Sequence, residues 1–178
     1  MGVPSDVNPR GLPWPSLSGD IDYLKNVTKK DVIILGRRSL IIAGKFLKSD
    51  GRSVIGVSTT SYLSDEHKIL PSIEEAVRHA ENWSSDKDIW FGGGATLAGA
   101  AFKLLEAEGV GDFHETVIDA DYPHATVYMP AFDDDKWTEP ETVAEFPVGF
   151  TDKGRRTESG IWLPEPTPPY RIQVRRIK

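Results

Sequence analysis

Residues 88–107 read DIWFGGGATLAGAAFKLLEA. A short apolar run, DIWF at 88–91, reads as a strand. It passes into Gly92-Gly93-Gly94, and an Ala- and Leu-rich stretch over 95–107 reads as a helix. In a strand–glycine–helix unit the glycines let backbone approach a ligand closely, and the open N–H groups of the helix attract a phosphate. The dinucleotide fingerprint G-x-G-x-x-G fails, because Leu97 stands where its last glycine belongs. No Gly-Lys-Ser/Thr follows either, so the turn is not a P-loop. By itself the triple glycine is equally well a tight turn with no ligand.

Working outward, residues 32–35 (VIIL, ending at Gly36) and 53–58 (SVIGVS) read as buried strands. Residues 1–19 read as loop, and 39–47 as helix or turn. Residues 20–28, DIDYLKNVT, read as a short helix with Ser18 as its candidate cap. Ser72 and Glu75 open a helix over 72–82. Residues 113–120 and 142–149 read as strands, and 170–177, YRIQVRRI, alternates as an edge or hairpin strand. Strands alternating with helices predict an α/β fold: a mostly parallel central sheet flanked by helices, with an antiparallel C-terminal hairpin. Ligands of such sheets bind beyond the carboxyl ends of the strands. That directs attention to Gly36–Ser39, Ser58–Thr60 and Gly92–Thr96.

A chain of 178 residues suits one domain, here expected over 1–178. Lys plus Arg number 21 against 27 Asp plus Glu, a net charge of −6. A general nucleic-acid or anionic-membrane binder needs a basic face, and no long basic run supplies one. The absence of cysteine excludes disulfides, thiolate metal sites and cysteine nucleophiles. His67, His79, His114 and His124 are scattered, so no metal site is expected. No apolar run approaches the roughly 20 residues that span a bilayer. Pro4, Pro9, Pro13 and Pro15 interrupt any signal-peptide core. The expectation is a cytoplasmic monomer acting on a small molecule, with neither nucleic acid nor membrane as partner.

Several side chains suit chemistry. Arg37 and Arg38, beyond VIILG, are placed to hold a phosphate by charge-assisted hydrogen bonds, and Ser58, Thr59 and Thr60 add hydroxyls at the next strand end. Such a set favours the 2′-phosphate of NADP over NAD; solvated surface charge is the plainer reading. Asp20 shares a helical face with Leu24 and Val27. A carboxylate on an apolar stripe has a raised pKa and can donate a proton. An acid that merely complements the helix dipole would look the same. Arg52 is either a carboxylate partner or a turn arginine.

Together these residues resemble dihydrofolate reductase. Gly11-Leu12-Pro13-Trp14, then Asp20 and Thr28, are similar to that family's active-site loop and first helix. Val32–Ser39 resembles its V-I-M-G-R-x-T segment, Gly51-Arg52 with Val54–Ser58 its G-R-x-x-x-x-L-S strand, and Phe91–Gly94 its I-G-G-G turn. Thr116–Asp121 resembles its T-x-I-D-A-E strand, and Tyr128-Met129-Pro130, ahead of Trp137, its F-P…W segment.

The resemblance implies NADPH-dependent reduction of dihydrofolate. Asp20 would bind the pterin and assist protonation at N5, with Thr116 bonded to Asp20 and Trp14 ordering a water beside it. Leu24 would line the pterin pocket and Arg52 would hold the α-carboxylate of the glutamate tail. Arg37, Arg38, Ser39, Ser58 and Thr59 would hold the 2′-phosphate and nearby phosphates. Gly92, Gly93, Gly94, Ala95, Thr96 and Leu97 would cradle the pyrophosphate and nicotinamide side, joined in cofactor binding by Arg10, Gly11 and Leu12. Family members open on an apolar strand; MGVPSDVNPR is not one, so the first N-terminal strand is expected to be missing. Two alternatives stay open: a reductase of another heterocycle, of the riboflavin-pathway type, and a catalytically silent nucleotide-binding module.

Overall fold

The structure is a computed structural model of the chain. It describes residues 12–178 except 50, 61–63, 65, 84–85, 157 and 159–161. The expected absence of a first strand, and the expected roles of Arg10 and Gly11, fall outside the described residues.

The described chain divides into two compact units. One is built from 24–104 and 129–132 and holds a four-stranded, wholly parallel sheet. In chain order its elements are β1 (Val32–Gly36), α2 (Arg37–Ser49), β2 (Ser53–Val57), β3 (Lys68–Leu70), α3 (Ile73–Trp83), β4 (Ile89–Phe91) and most of α4 (Ala95–Glu108). Helix α1 (Ser18–Val27) precedes them and crosses from the other unit. The strand order is β3-β2-β1-β4. β1 is central because all four of its apolar residues have somewhere to go. Val32 and Ile34 pack with Ile55, Ile73, Ala76, Ala80, Leu97 and Ala101 on the face covered by α3 and α4. Ile33 and Leu35 pack with Leu40, Leu47 and Val54 on the face covered by α2. Each such side chain contributes about 1.5–3 kcal/mol on full burial. A run of apolar residues without alternation is therefore what this strand requires.

The other unit gathers the first part of α1, residues 105–128 and 133–178. Its three-stranded antiparallel sheet has the order β5-β9-β6, from β5 (Asp112–Ile118), β6 (Glu141–Phe146) and β9 (Tyr170–Arg176). β7 (Gly149–Arg156) and β8 (Trp162–Thr167) form a separate hairpin. The 170–177 segment is thus the middle strand of its sheet, correcting the expectation of an edge or hairpin strand. Tyr170, Ile172 and Val174 are buried on one face, while the other is polar and holds exposed Arg171. The antiparallel hairpin lies one strand earlier, in β7 and β8.

Helix α1 begins two residues ahead of the expected start. Ile21 N–H bonds the Leu17 carbonyl at 3.1 Å, so Leu17 is the N-cap residue and Ser18 lies inside the helix. Ser18 is therefore not the cap. In α3 the expectation holds: Glu75 N–H donates to Ser72 Oγ at 3.2 Å. Among the described residues, no helix is long and apolar enough to cross a membrane.

Candidate active site

In the antiparallel unit the central feature is Asp20. It lies in the first turn of α1, half-buried, and Thr116 Oγ1 on β5 donates to its Oδ1 at 2.5 Å. Burial pushes the carboxyl above its ordinary pKa, and the Thr116 hydrogen bond pulls less strongly the other way. A desolvated carboxyl keeps its proton to higher pH than a free one and so suits the role of general acid. One turn along the helix, Tyr23 Oη pairs with His114 Nδ1 at 2.8 Å. His114 and Thr116, two residues apart on a strand, face the same way, so α1 is fixed to β5 by two polar contacts. Desolvation holds His114 below its usual pKa, which keeps its ring neutral. Trp14 is half-buried and meets Tyr122 edge-on, ring centroids 5.7 Å apart. Leu12 is half-buried nearby in sequence.

The same unit contains a group that sequence reasoning missed. Tyr170 Oη, on β9, accepts the Gly19 N–H at 3.1 Å, and its ring stacks on Phe146 with centroids 4.5 Å apart and planes 12° off parallel. Gly19 is glycine for lack of room: a Cβ there would collide with the Phe146 ring and lie 2.6 Å from Tyr170 Oη. No local pattern marks Tyr170, which is 151 residues from Gly19.

In the parallel unit three strand ends come together. Gly36 N–H donates to the Gly93 carbonyl at 3.3 Å, and Gly92 N–H to the Ile34 carbonyl at 2.9 Å, so the ends of β1 and β4 meet. Gly93 and Gly94 have φ of 121° and 86°, which side chains rarely adopt. Ser39 Oγ would lie 3.4 Å from a Cβ at Gly93. Helix α2 starts at Arg37 and α4 at Ala95, so two helix N-termini open at adjacent strand ends. Arg37 Nη1 donates to Thr60 Oγ1 at 3.2 Å, and Ser58 Oγ bonds the Thr60 carbonyl at 2.9 Å. Arg38, Thr59, Thr96 and Gly92 are exposed, and Ala95 is half-buried. Leu97 turns its side chain into the core, leaving its backbone as its only route to a ligand.

Arg52 is not a turn arginine in solvent. It is 3% exposed, and its Nε donates to Thr28 Oγ1 at 2.7 Å and its Nη2 to the Lys25 carbonyl at 2.5 Å. Thr28, itself fully buried, donates its hydroxyl hydrogen bond to the Leu24 carbonyl. The end of α1 therefore fixes the guanidinium in one orientation. Leu24 is 38% exposed rather than sunk in an apolar stripe, because α1 contains no fully buried residue.

The sequence profile described as Dihydrofolate reductase matches residues 8–146. The chain belongs to the dihydrofolate reductase family. A dihydrofolate reductase of Staphylococcus haemolyticus is 28% identical over 128 residues, covering 72% of this chain and 70% of the relative. Among solved structures, a dihydrofolate reductase from Enterococcus faecalis complexed with NADP(H) and RAB-propyl matches with a TM-score of 0.59 and 22% identity. That match covers 93% of this chain and 86% of the other. The structural likeness shows the dihydrofolate-reductase fold; the profile match shows the family, whose reaction class is the reduction of dihydrofolate.

Proposed function

We propose that the chain reduces 7,8-dihydrofolate to 5,6,7,8-tetrahydrofolate with NADPH, using Asp20 as the proton-handling group. The observation that carries this reading is the Asp20 carboxyl, desolvated and held by Thr116 at 2.5 Å in a chain of this family. When bound, NADPH supplies the hydride that goes to C6 of the pterin.

The fit to that cofactor rests on the strand ends. Gly93, Gly94, Ala95, Thr96 and Leu97 offer backbone N–H groups at the α4 N-terminus, where a pyrophosphate is favoured, and Gly92, its own N–H bonded to Ile34, opens the turn that presents them. Arg37, Arg38, Ser39, Ser58 and Thr59 offer cations and hydroxyls to a 2′-phosphate, and the 3.2 Å bond from Arg37 to Thr60 ties two of those loops together. Arg10, Gly11 and Leu12 would complete the nicotinamide side.

Asp20 binds the pterin and, carrying its proton, favours protonation at N5; Trp14 orders the intervening water. Thr116 fixes the carboxyl's orientation. Leu24 lines the pterin pocket, and Arg52, held by Thr28 and Lys25, takes the α-carboxylate of the glutamate tail. The chain's share of catalysis is positioning and a tuned acid. We further read residues 1–178 as one domain acting as a cytoplasmic monomer on this small molecule, without nucleic acid, in keeping with a net charge of −6.

The test follows NADPH absorbance with and without dihydrofolate. Oxidation should depend on dihydrofolate, fall as pH rises through the raised Asp20 pKa, and drop by about 10²–10⁴-fold in Asp20→Asn while NADPH still binds. Equal rates for Asp20→Asn and the wild type would end the assignment. Tight NADPH binding without turnover would favour a silent module instead.

A further inference from the structure

Helix α1 has no side-chain cap of its own. Its N-cap residue is Leu17, which brings no side-chain oxygen to the open N–H groups of the first turn. Counting from Leu17, Gly19 and Asp20 are the second and third helical residues, the two positions whose N–H groups an N-cap side chain normally takes. Here a distant phenol takes the first of them: Tyr170 Oη accepts the Gly19 N–H at 3.1 Å. The Phe146 stack fixes the ring, and the bare Cα of Gly19 permits the approach. An acid in the first turn is otherwise drawn toward the open, partly positive N–H groups of its own helix. Asp20 instead reaches Thr116 on the neighbouring strand.

We propose that Tyr170 is a positioning residue for Asp20: by occupying the Gly19 N–H in the open first turn of α1, its hydroxyl keeps the Asp20 carboxyl from capping its own helix and leaves it turned to Thr116. This deepens the reductase reading and rests on it. Thr116 on β5 is bonded to the carboxyl itself; Asp20 and Asp22 on α1 both face the Tyr170 phenol on β9, Phe146 on β6 stacks on that phenol ring, and His114, two residues from Thr116, is bonded to Tyr23. Without the phenol oxygen, the freed Gly19 N–H would draw the carboxylate and favour its charged form, lowering its pKa.

The experiment compares wild type, Tyr170→Phe and Phe146→Leu. The Asp20 carboxyl carbon is titrated by NMR, using Asp20→Asn to assign the signal, and kcat is measured against pH. In Tyr170→Phe the Asp20 titration should move to lower pH. The falling limb of the rate profile should move with it, at a cost of about tenfold in kcat at neutral pH. Phe146→Leu, which keeps the hydroxyl but removes the ring that fixes it, should move both profiles the same way by a smaller amount. Should Tyr170→Phe fail to fold, replacing Tyr170 with 4-fluorophenylalanine nearly keeps the shape with a far weaker acceptor, and the Asp20 titration should move in the same direction. A uniform loss at every pH, with the Asp20 titration unmoved, would overturn the proposal and make Tyr170 a packing residue. Absence of dihydrofolate-dependent turnover in the wild type would defeat the reductase reading, yet the NMR titration would still decide the role of Tyr170.

Discussion

The two units hold their chemistry by different means. In the parallel unit, the candidate pyrophosphate site consists largely of backbone at the ends of β1 and β4, and its geometry follows from a sheet buried on both faces. In the antiparallel unit, the candidate acid is one side chain, aimed by Thr116 and Tyr170. A backbone site inherits the rigidity of its core and tolerates many side chains. A side-chain site depends on a few long-range contacts, so single substitutions there should alter chemistry more than stability.

The first way to break this contrast is in the parallel core. Ile34→Ala should cost about 2–5 kcal/mol, since Ile34 is fully buried between β2 and β4. Val143→Ala in the antiparallel unit, at a site 44% exposed, should stay within about 0.5 kcal/mol. Urea unfolding of both variants checks this, and similar losses would erase the distinction. Next, Arg37→Ala should weaken NADPH by about 1.5–3 kcal/mol and NADH far less, because only NADPH offers the charge-assisted phosphate bond. Calorimetric titration with both cofactors measures it, and equal losses would remove Arg37 from the 2′-phosphate site.

The smallest effect sharpens the contrast at Asp20. Its folded pKa is raised, so its contribution to stability is fully present below the unfolded pKa and is lost as pH rises through the folded one. Asp20→Asn, which does not titrate, should therefore match the wild type in acid and gain in Tm relative to it toward neutral pH. The variant that loses catalysis would be the more stable protein. A Tm difference independent of pH would contradict the desolvation described here.

Much of the parallel unit was legible because burial on both faces leaves an unbroken apolar run such as VIIL, and because glycines at 92–94 answer a backbone demand visible locally. The other unit was harder to read. β7 and β8 contain Gly149, Gly154, Pro164 and Pro166, which weaken strand patterning, and their pairing shifts register between Phe150 and Gly154. β3 is only Lys68–Leu70, too short to show a period. β9 reads as an edge because Arg171, Gln173 and Arg175 alternate with its apolar residues, yet a polar face accepts such residues on a middle strand. Ser18 is a good local cap that the fold does not use. The acceptor comes from Tyr170, and no window of sequence contains both partners.

That separation bears on how the protein is made. Gly19 leaves the ribosome 151 residues before Tyr170. At about 5–20 residues per second, the helix bearing the acid waits on the order of ten seconds for its cap. During translation the parallel unit can gather its own strands while Asp20 still lacks both β5 and β9, so the proton-handling corner is the last part of the molecule to mature.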